Sequence, residues 1–237
     1  LDIDDLAPMV GVRHPPRLDR ERARRPGGRV LPDTPIDLPR LRAMDADVRF
    51  EAQRVVNVRL LPLERLSAHV KLQEGVLQLD PLELGLAGGR LAGLLRIDAR
   101  QPPAALRLDL QARDLQLQKL LPAVDLNRAS VGQLQGHVDL AGRGASVAGL
   151  LGHASGEVSL LMGPGRISNL LLEIAGLDGA EIVRFLMGRD QRVGLRCAAA
   201  GFAVKDGLMT ARTLVLDTTD TVIWGGGTIS LATEVLA

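Results

Sequence analysis

Apolar and polar residues alternate with a period of two along much of the chain after Leu41. Successive side chains of a β-strand point to opposite faces, so this period is typical of strands with one apolar and one wet face. The clearest examples are residues 46–53, 66–73 and 106–113. The alternation predicts long, amphipathic and mostly antiparallel strands.

Glycine- and proline-containing turn sequences separate these stretches. They are Glu74-Gly75, Gly88-Gly89, Pro102-Pro103, Gly142-Arg143-Gly144, Gly163-Pro164-Gly165 and Asp206-Gly207. The segments between them give about ten strands, which is a large but ordinary sheet. Helical patterns are short and lie at residues 117–121, 146–153 and 168–187, the last interrupted between Gly176 and Gly179. The sequence therefore predicts a mainly β fold, a large curved sheet with one apolar face, plus short amphipathic helices.

These helices are too small to cover one face of such a sheet. Ten strands spaced about 4.8 Å apart and each about 20 Å long present roughly 1,000 Å². The helices, about 10 Å wide with a rise of about 1.5 Å per residue, cover about half of that area. A soluble monomer rarely exposes a contiguous apolar patch larger than a few hundred Å². The sheet therefore folds on itself, meets another part of the protein or holds an apolar ligand, and the pattern leaves these three alternatives open.

The apolar members of the alternating strands are the side chains predicted to face this uncovered area. They are Val48, Phe50, Ala68, Val70, Leu72, Leu106, Leu108 and Leu110. We expect these residues to line a groove and to contact any apolar ligand that occupies it.

Composition restricts the kind of ligand. Hydrophobic residues make up 46% of the chain, but aromatic residues only 2%, and tyrosine is absent. The interior is therefore aliphatic, and the chain lacks the aromatic platforms on which single-stranded nucleic acids stack. The net charge is +1, with basic and acidic residues interspersed, so no long-range field steers a polyanion. Nucleic acid is not an expected partner.

The first part of the chain differs in character from the rest. Residues 13–29 are rich in arginine and are broken by prolines and glycines, which is typical of a solvated linker. A phosphate or lipid-headgroup contact is the alternative interpretation. Residues 1–32 are thus predicted to be a linker or the end of a preceding segment, and residues 33–237 a β-domain. The chain ends within another strand-like pattern, so we expect this domain to be truncated at its C-terminal end.

Candidate catalytic and metal-binding residues are scattered. The four histidines are His14, His69, His137 and His153, and none has a second ligand at a spacing typical of zinc sites. Ser155 lies near a histidine but outside any G-x-S-x-G motif, so it is interpreted as the first residue of a strand. The glycine-rich stretch at residues 142–149 matches neither phosphate-binding fingerprint, and Ser146 capping a short helix explains it more simply. We expect no catalytic residues, no metal and no cofactor.

Four stretches carry a family resemblance through their joint order and spacing. They are LPDTPIDLPRLRAMDADVRFEAQRV (31–55), GVLQLDPLELGLAGGRLAGLLRIDAR (75–100), GHVDLAGRGASVAGLLGHASGEVSLLMGPGRISNLLLEIAGLD (136–178) and LRCAAAGFAVKDGLMTARTLVLDTTDTVIWGGGTISLATE (195–234). Together they resemble the C-terminal region of the AsmA family over nearly all of residues 31–237.

The resemblance implies a periplasmic body in a Gram-negative envelope, tethered to the inner membrane by a helix outside this sequence. Members of the family are regarded as lipid-transfer proteins related to TamB and to eukaryotic bridge-like transporters, in which a curved sheet forms an apolar groove. The implied partner is a phospholipid or another acyl lipid. The alternative is a structural or assembly factor for outer-membrane proteins, which would pair with envelope proteins through an open sheet edge. A hydrolase is the third and weakest interpretation.

Overall fold

The fold is taken from a computed structural model, which describes residues 31–53, 62–120, 132–167 and 193–237. Three short helices and thirteen strands lie in these ranges. In chain order they are α1 (Leu38–Arg42), β1 (Ala46–Ala52), β2 (Leu63–Gln73), β3 (Val76–Leu86), β4 (Gly89–Asp98), β5 (Ala104–Gln116), α2 (Leu117–Leu120), β6 (Gln133–Gly144), α3 (Val147–Gly152), β7 (Ser155–Met162), β8 (Gly165–Ile167), β9 (Val193–Lys205), β10 (Leu208–Thr218), β11 (Val222–Trp224), β12 (Thr228–Ser230) and β13 (Val235–Leu236).

All thirteen strands belong to one open antiparallel sheet. The pairing order is β1-β2-β3-β4-β5-β6-β7-β9-β10-β12-β13, with β8 paired to β9 and β11 paired to β10. Because β8 and β11 lie in line with β7 and β12, the sheet is eleven strands wide. The two ends of this order, β1 and β13, do not pair with each other. The predicted mainly β, antiparallel fold with short helices is therefore confirmed, and the extra strands are short pieces that the pattern did not separate.

Tight hairpin turns set the register of neighbouring strands. At Glu74-Gly75 the φ angles are 48° and 78°, and at Asp206-Gly207 they are 48° and 75°. Two successive residues with positive φ are typical of the type I′ turn, whose twist matches that of the flanking strands. The turns predicted at these positions are confirmed.

The prediction of a turn at Gly142-Arg143-Gly144 is wrong, because these residues form the end of β6. Gly142 pairs with Leu106 of β5. A Cβ atom at Gly142 would lie 2.2 Å from the carbonyl oxygen of Leu150 in α3, and one at Gly144 would lie 2.3 Å from the backbone of Gly149. The glycines are required for close packing of α3 against the strand.

The short helices begin at identifiable caps. The predicted helix at residues 146–153 is confirmed as α3, and the backbone N–H of Gly149 donates to Oγ of Ser146 over 3.0 Å. The helix predicted at 117–121 is confirmed as α2, whereas the one predicted at 168–187 lies outside the described residues. We did not predict α1, although Asp37 with Pro39 two residues later is a recognisable helix start.

Residues 31–45 form a segment, here called the N-terminal strap, that runs along one end of the strands. At its start the backbone N–H of Leu31 donates to Oε1 of Glu234 over 3.1 Å. Further on, Oγ of Ser146 donates to Oδ1 of Asp33 over 2.9 Å. The strap therefore begins beside the last strands of the sheet, and Leu31, assigned to the linker by the sequence, already contacts the β-domain.

The other end of the strap is anchored by α1 beside the first strands. Leu41 of α1 is only 2% exposed. It packs in a buried cluster with Leu72, Leu77 and Ala99, which lie at the adjoining ends of β2, β3 and β4. The strap thus connects the two sides of the sheet and covers one end of its strands.

Candidate functional site

The register of the strands places the eight predicted residues on one face of the sheet. Val48 lies opposite Val70 and Phe50 lies opposite Ala68 in the β1–β2 pair. Directly opposed residues of antiparallel strands share a face. Following the same rule through β3 and β4 brings Leu72, Leu106, Leu108 and Leu110 onto that face. We call it the apolar face.

Rows of apolar residues cross this face from strand to strand. The first row contains Val48, Val70, Leu79, Leu95, Leu108, Leu140, Gly156, Val204, Met209, Ile229 and Leu236. The second contains Phe50, Ala68, Leu82, Gly93, Leu110, Val138, Val158, Phe202 and Ala211. The first row spans the whole eleven-strand path, which is about 48 Å at about 4.8 Å per strand. The apolar face is therefore continuous from one edge of the sheet to the other.

The described helices cover the ends of the strands rather than the middle of this face. One buried cluster lies under α1, a second beside α2 around Leu86 and Leu115, and a third beside α3 around Leu140. On β7 and β10, away from the residues of these clusters, Leu160 is 36% and Leu214 is 37% exposed. Among the described residues, the apolar face is thus accessible on β7 and β10, whereas the strand ends beside the helices are packed.

Accessibility divides the eight predicted residues into two groups. Val48 is 39% exposed, and Phe50, Val70, Leu108 and Leu110 are half-buried. The remaining three, Ala68, Leu72 and Leu106, are buried. The first group is accessible to a ligand on the face, and the second forms the packing beneath or beside it. Their contact with a lipid stays a prediction.

The sequence pattern missed the continuation of the apolar face into the later strands. There the face is formed by Val138, Val158, Leu160, Phe202 and Leu214. In β9 the residues between the large side chains are alanines, glycines and a cysteine, so both faces look moderately apolar and the alternation is weak. The two-residue spacing of Phe202 and Val204 is the sequence feature that could have indicated the apolar face of β9.

The opposite face, here called the polar face, carries cross-strand hydrogen bonds and ion pairs. His69 Nε2 lies 2.6 Å from Oδ1 of Asp47, and this hydrogen bond lowers the pKa of the Asp47 carboxyl. Arg107 donates to Asp139 over 2.8 Å. Such pairs between exposed groups contribute little stability, but they keep the face hydrated. Water can therefore solvate the polar face, whereas the apolar face gains stability only from contact with another apolar surface.

Asp98 and Arg100 form an ion pair at the strand end beside α1. Nη2 of Arg100 lies 2.5 Å from Oδ2 of Asp98. The hydrogen bond from the Arg100 side chain is the main reason why the pKa of Asp98 falls to about 2. Because the folded pKa is below the unfolded value of about 3.9, the pair stabilises the fold above about pH 4 and loses this effect as pH falls towards 2.

Asp98→Asn is therefore expected to destabilise the domain at pH 5 more than at pH 2. Urea unfolding of both proteins across this range measures the difference in the free energy of unfolding. A difference that stays constant from pH 5 to pH 2 would show that the carboxylate of Asp98 is not the source of the effect.

The described ranges contain no group of three or more His, Cys, Asp or Glu residues that could hold a metal ion. Ser155 begins β7, as predicted, and its Oγ accepts a hydrogen bond from the backbone N–H of Asp206 over 3.1 Å. Among the described helices none is both long enough and apolar enough to cross a membrane.

An open antiparallel sheet with one continuous apolar face and one ion-paired face defines a one-sided β-sheet protein. The sequence model of the AsmA family matches residues 1–214. The AsmA family protein YhjG of Escherichia coli (strain K12) is 36% identical over 246 aligned residues, which cover 100% of this chain and 36% of that protein. The chain belongs to the AsmA family. No solved structure matches it.

The chain spans about a third of the length of this relative, 36%. Family membership supports association with the cell envelope and is compatible with a lipid-transport or an assembly role. The AsmA family is not known as a family of enzymes.

Proposed function

We propose that this chain is a non-enzymatic lipid-binding domain whose apolar face shields acyl chains as phospholipids, or other acyl lipids, pass between membranes. The observation that carries the proposal is the second apolar row, which runs from Phe50 to Ala211 across nine strands and in which Ala68 alone is buried. The described helices also leave Leu160 of β7 and Leu214 of β10, on the same face, more than a third exposed.

The physical advantage of such a surface is large. Moving an acyl chain through water exposes apolar area at about 0.8 kcal/mol per methylene, so the two chains of a phospholipid cost on the order of 20 kcal/mol. A continuous aliphatic surface removes most of this cost at each step along the sheet. The domain then acts by lowering a barrier and needs no catalytic group.

The side chains of the apolar face favour mobile rather than selective binding. Leucine, valine and alanine offer dispersion contacts without the directional hydrogen bonds that fix a ligand in one orientation. The neighbouring half-buried residues Leu79, Leu95 and Leu108 of one row present nearly the same chemistry. An acyl chain can therefore shift from one strand to the next at little cost.

The proposed location is the periplasm, with the full-length protein anchored in the inner membrane. Family membership and the resemblance of residues 31–237 support this location. An apolar face that would collect lipid is also best used between two membranes, where no other apolar phase is present.

A second candidate function is an assembly factor that pairs with another β-protein. The observation that favours it is the free edge of the sheet: among the described residues, β1 pairs with β2 alone along all seven of its residues. A strand of this length can template the addition of another strand. Substitutions on the apolar face distinguish the functions, because strand addition at the edge of β1 depends on backbone groups.

The proposal is tested by native mass spectrometry of the purified chain. We expect phospholipid bound to the protein as purified. We also expect phosphatidylethanolamine to bind when the delipidated protein is reloaded with it. A protein that is folded by circular dichroism but takes up no lipid after reloading would argue against lipid binding and in favour of the assembly role.

A further inference from the structure

A short apolar row interrupts the polar face near one end of the last strands. In this row Leu161 of β7 lies opposite Ala199 of β9, Ala199 opposite Val215 of β10, and Val215 opposite Trp224 of β11. Leu161 is 49% and Trp224 is 74% exposed. We call these four residues the Trp224 row, and Val222, 47% exposed, lies beside it.

The Trp224 row contrasts with the rest of the same face. The preceding strands place polar pairs there, such as the ion pair of Arg107 with Asp139 and the hydrogen bond between His137 and Asp109. The Trp224 row itself contains no charged or hydrogen-bonding side chain apart from the indole N–H. Packing on the apolar face cannot explain these residues, since their side chains lie on the opposite side of the sheet. Exposing these apolar side chains to water costs free energy. We therefore expect the Trp224 row to be covered by a surface outside the described residues.

The size of the row restricts what that surface is. Four residues on neighbouring strands span about 14 Å at about 4.8 Å per strand. A patch of this length and one or two residues in width falls well below the roughly 800 Å² per partner of a stable protein interface. It is sufficient for a bilayer, in which each apolar side chain gains from burial on its own account.

The chemistry of the row also fits a bilayer surface. Tryptophan is enriched at membrane–water interfaces, because its ring is apolar and its N–H reaches the headgroups. Residues 193–237 contain three basic and four acidic residues, so electrostatic attraction to anionic lipid contributes little. The expected surface is therefore zwitterionic phospholipid.

We propose that the Trp224 row docks the domain onto a phospholipid bilayer. This inference rests on the proposed lipid-binding function, to which it adds the place of exchange. Leu161 directly follows Leu160 of the apolar face, and Val215 directly follows Leu214. Docking through the row would hold β7 and β10, which carry Leu160 and Leu214 on their other face, at the membrane surface.

Trp224 is the single tryptophan of the chain, so its fluorescence reports this contact alone. Adding phosphatidylcholine vesicles to the purified chain is expected to shift its emission to shorter wavelength and to reduce quenching by acrylamide. Leu161→Asp is expected to weaken vesicle binding at least ten-fold while keeping Trp224 as the probe. Ser159→Asp, which adds the same charge to the same face of β7, is the matched control and should bind vesicles normally.

Three outcomes would overturn the inference. One is unchanged emission at vesicle concentrations that float the protein in a density gradient, and another is equal binding by Leu161→Asp and the control. The third is a shift that follows protein concentration without vesicles, which would assign the row to a second copy of the chain. Lipid occupancy measured by mass spectrometry is independent of all three, so failure of docking and failure of lipid binding are distinguishable.

Discussion

Leu160→Asp is expected to lower the amount of phospholipid bound to the purified domain at least ten-fold. Leu160 lies on the apolar face between Gly136 and Ala200 and is 36% exposed, so the substitution places a carboxylate where acyl chains would lie. Taking an unpaired charge out of water costs several kcal/mol, and about 1.4 kcal/mol already corresponds to ten-fold in affinity. Native mass spectrometry after reloading with phosphatidylethanolamine gives the occupancy.

Ser159→Asp is the matched control for this prediction. Ser159 precedes Leu160 in β7, is exposed and lies on the polar face opposite His137. The same charge added there is expected to leave lipid occupancy unchanged. Equal loss of lipid in both variants, with both still folded, would mean that the apolar face is not the binding surface.

Leu41→Ala is expected to lower the free energy of unfolding by about 2–5 kcal/mol, as large-to-small substitutions in a core do. Leu41 anchors α1 and is 2% exposed against Leu72 and Leu77. Its loss leaves a cavity between the N-terminal strap and the ends of the first strands. Urea denaturation measures the change.

Met44→Ala provides the comparison within the same strap. Met44 is 44% exposed, so its truncation is expected to change the free energy of unfolding by less than about 0.5 kcal/mol. If Leu41→Ala were no more destabilising than Met44→Ala, the strap would not be anchored through the cluster under α1.

The early strands could be predicted from the sequence because their two faces differ strongly. In β1 each of Val48 and Phe50 is flanked by charged residues, and the same holds for Leu108 in β5. A period of two then identifies both the strand and the face. The register confirms that these residues share one side of the sheet.

The later strands could not be predicted as well, because their composition hides the period. In β9 the residues from Cys197 to Gly201 are all small, so hydropathy alone does not assign them to a face. The Trp224 row was not predicted for the same reason. Val215 and Trp224 are apolar, and only the pairing of Val215 with Ala199 and Trp224 shows that they lie on the polar face.

The local sequence pattern also does not predict where backbone segments pack closely against each other. Gly142 reads as a turn residue, yet its position in β6 is determined by α3, which packs directly against it. The N-terminal strap depends on contacts such as that of Leu31 with Glu234, which are separated by almost the whole described chain. Sequence spacing carries no signal for contacts of this range.

Crosslinking from successive positions of β5 tests lipid binding by the apolar face most directly. A photoreactive amino acid is placed singly at Leu108, Asp109, Leu110 and Gln111, and the loaded domain is irradiated with bound phospholipid. Leu108 and Leu110 lie on the apolar face, whereas Asp109 and Gln111 lie on the polar face. We predict crosslinks to lipid at Leu108 and Leu110 and none at Asp109 and Gln111. Equal crosslinking at all four positions, or none at any of them in a folded and loaded domain, would contradict it.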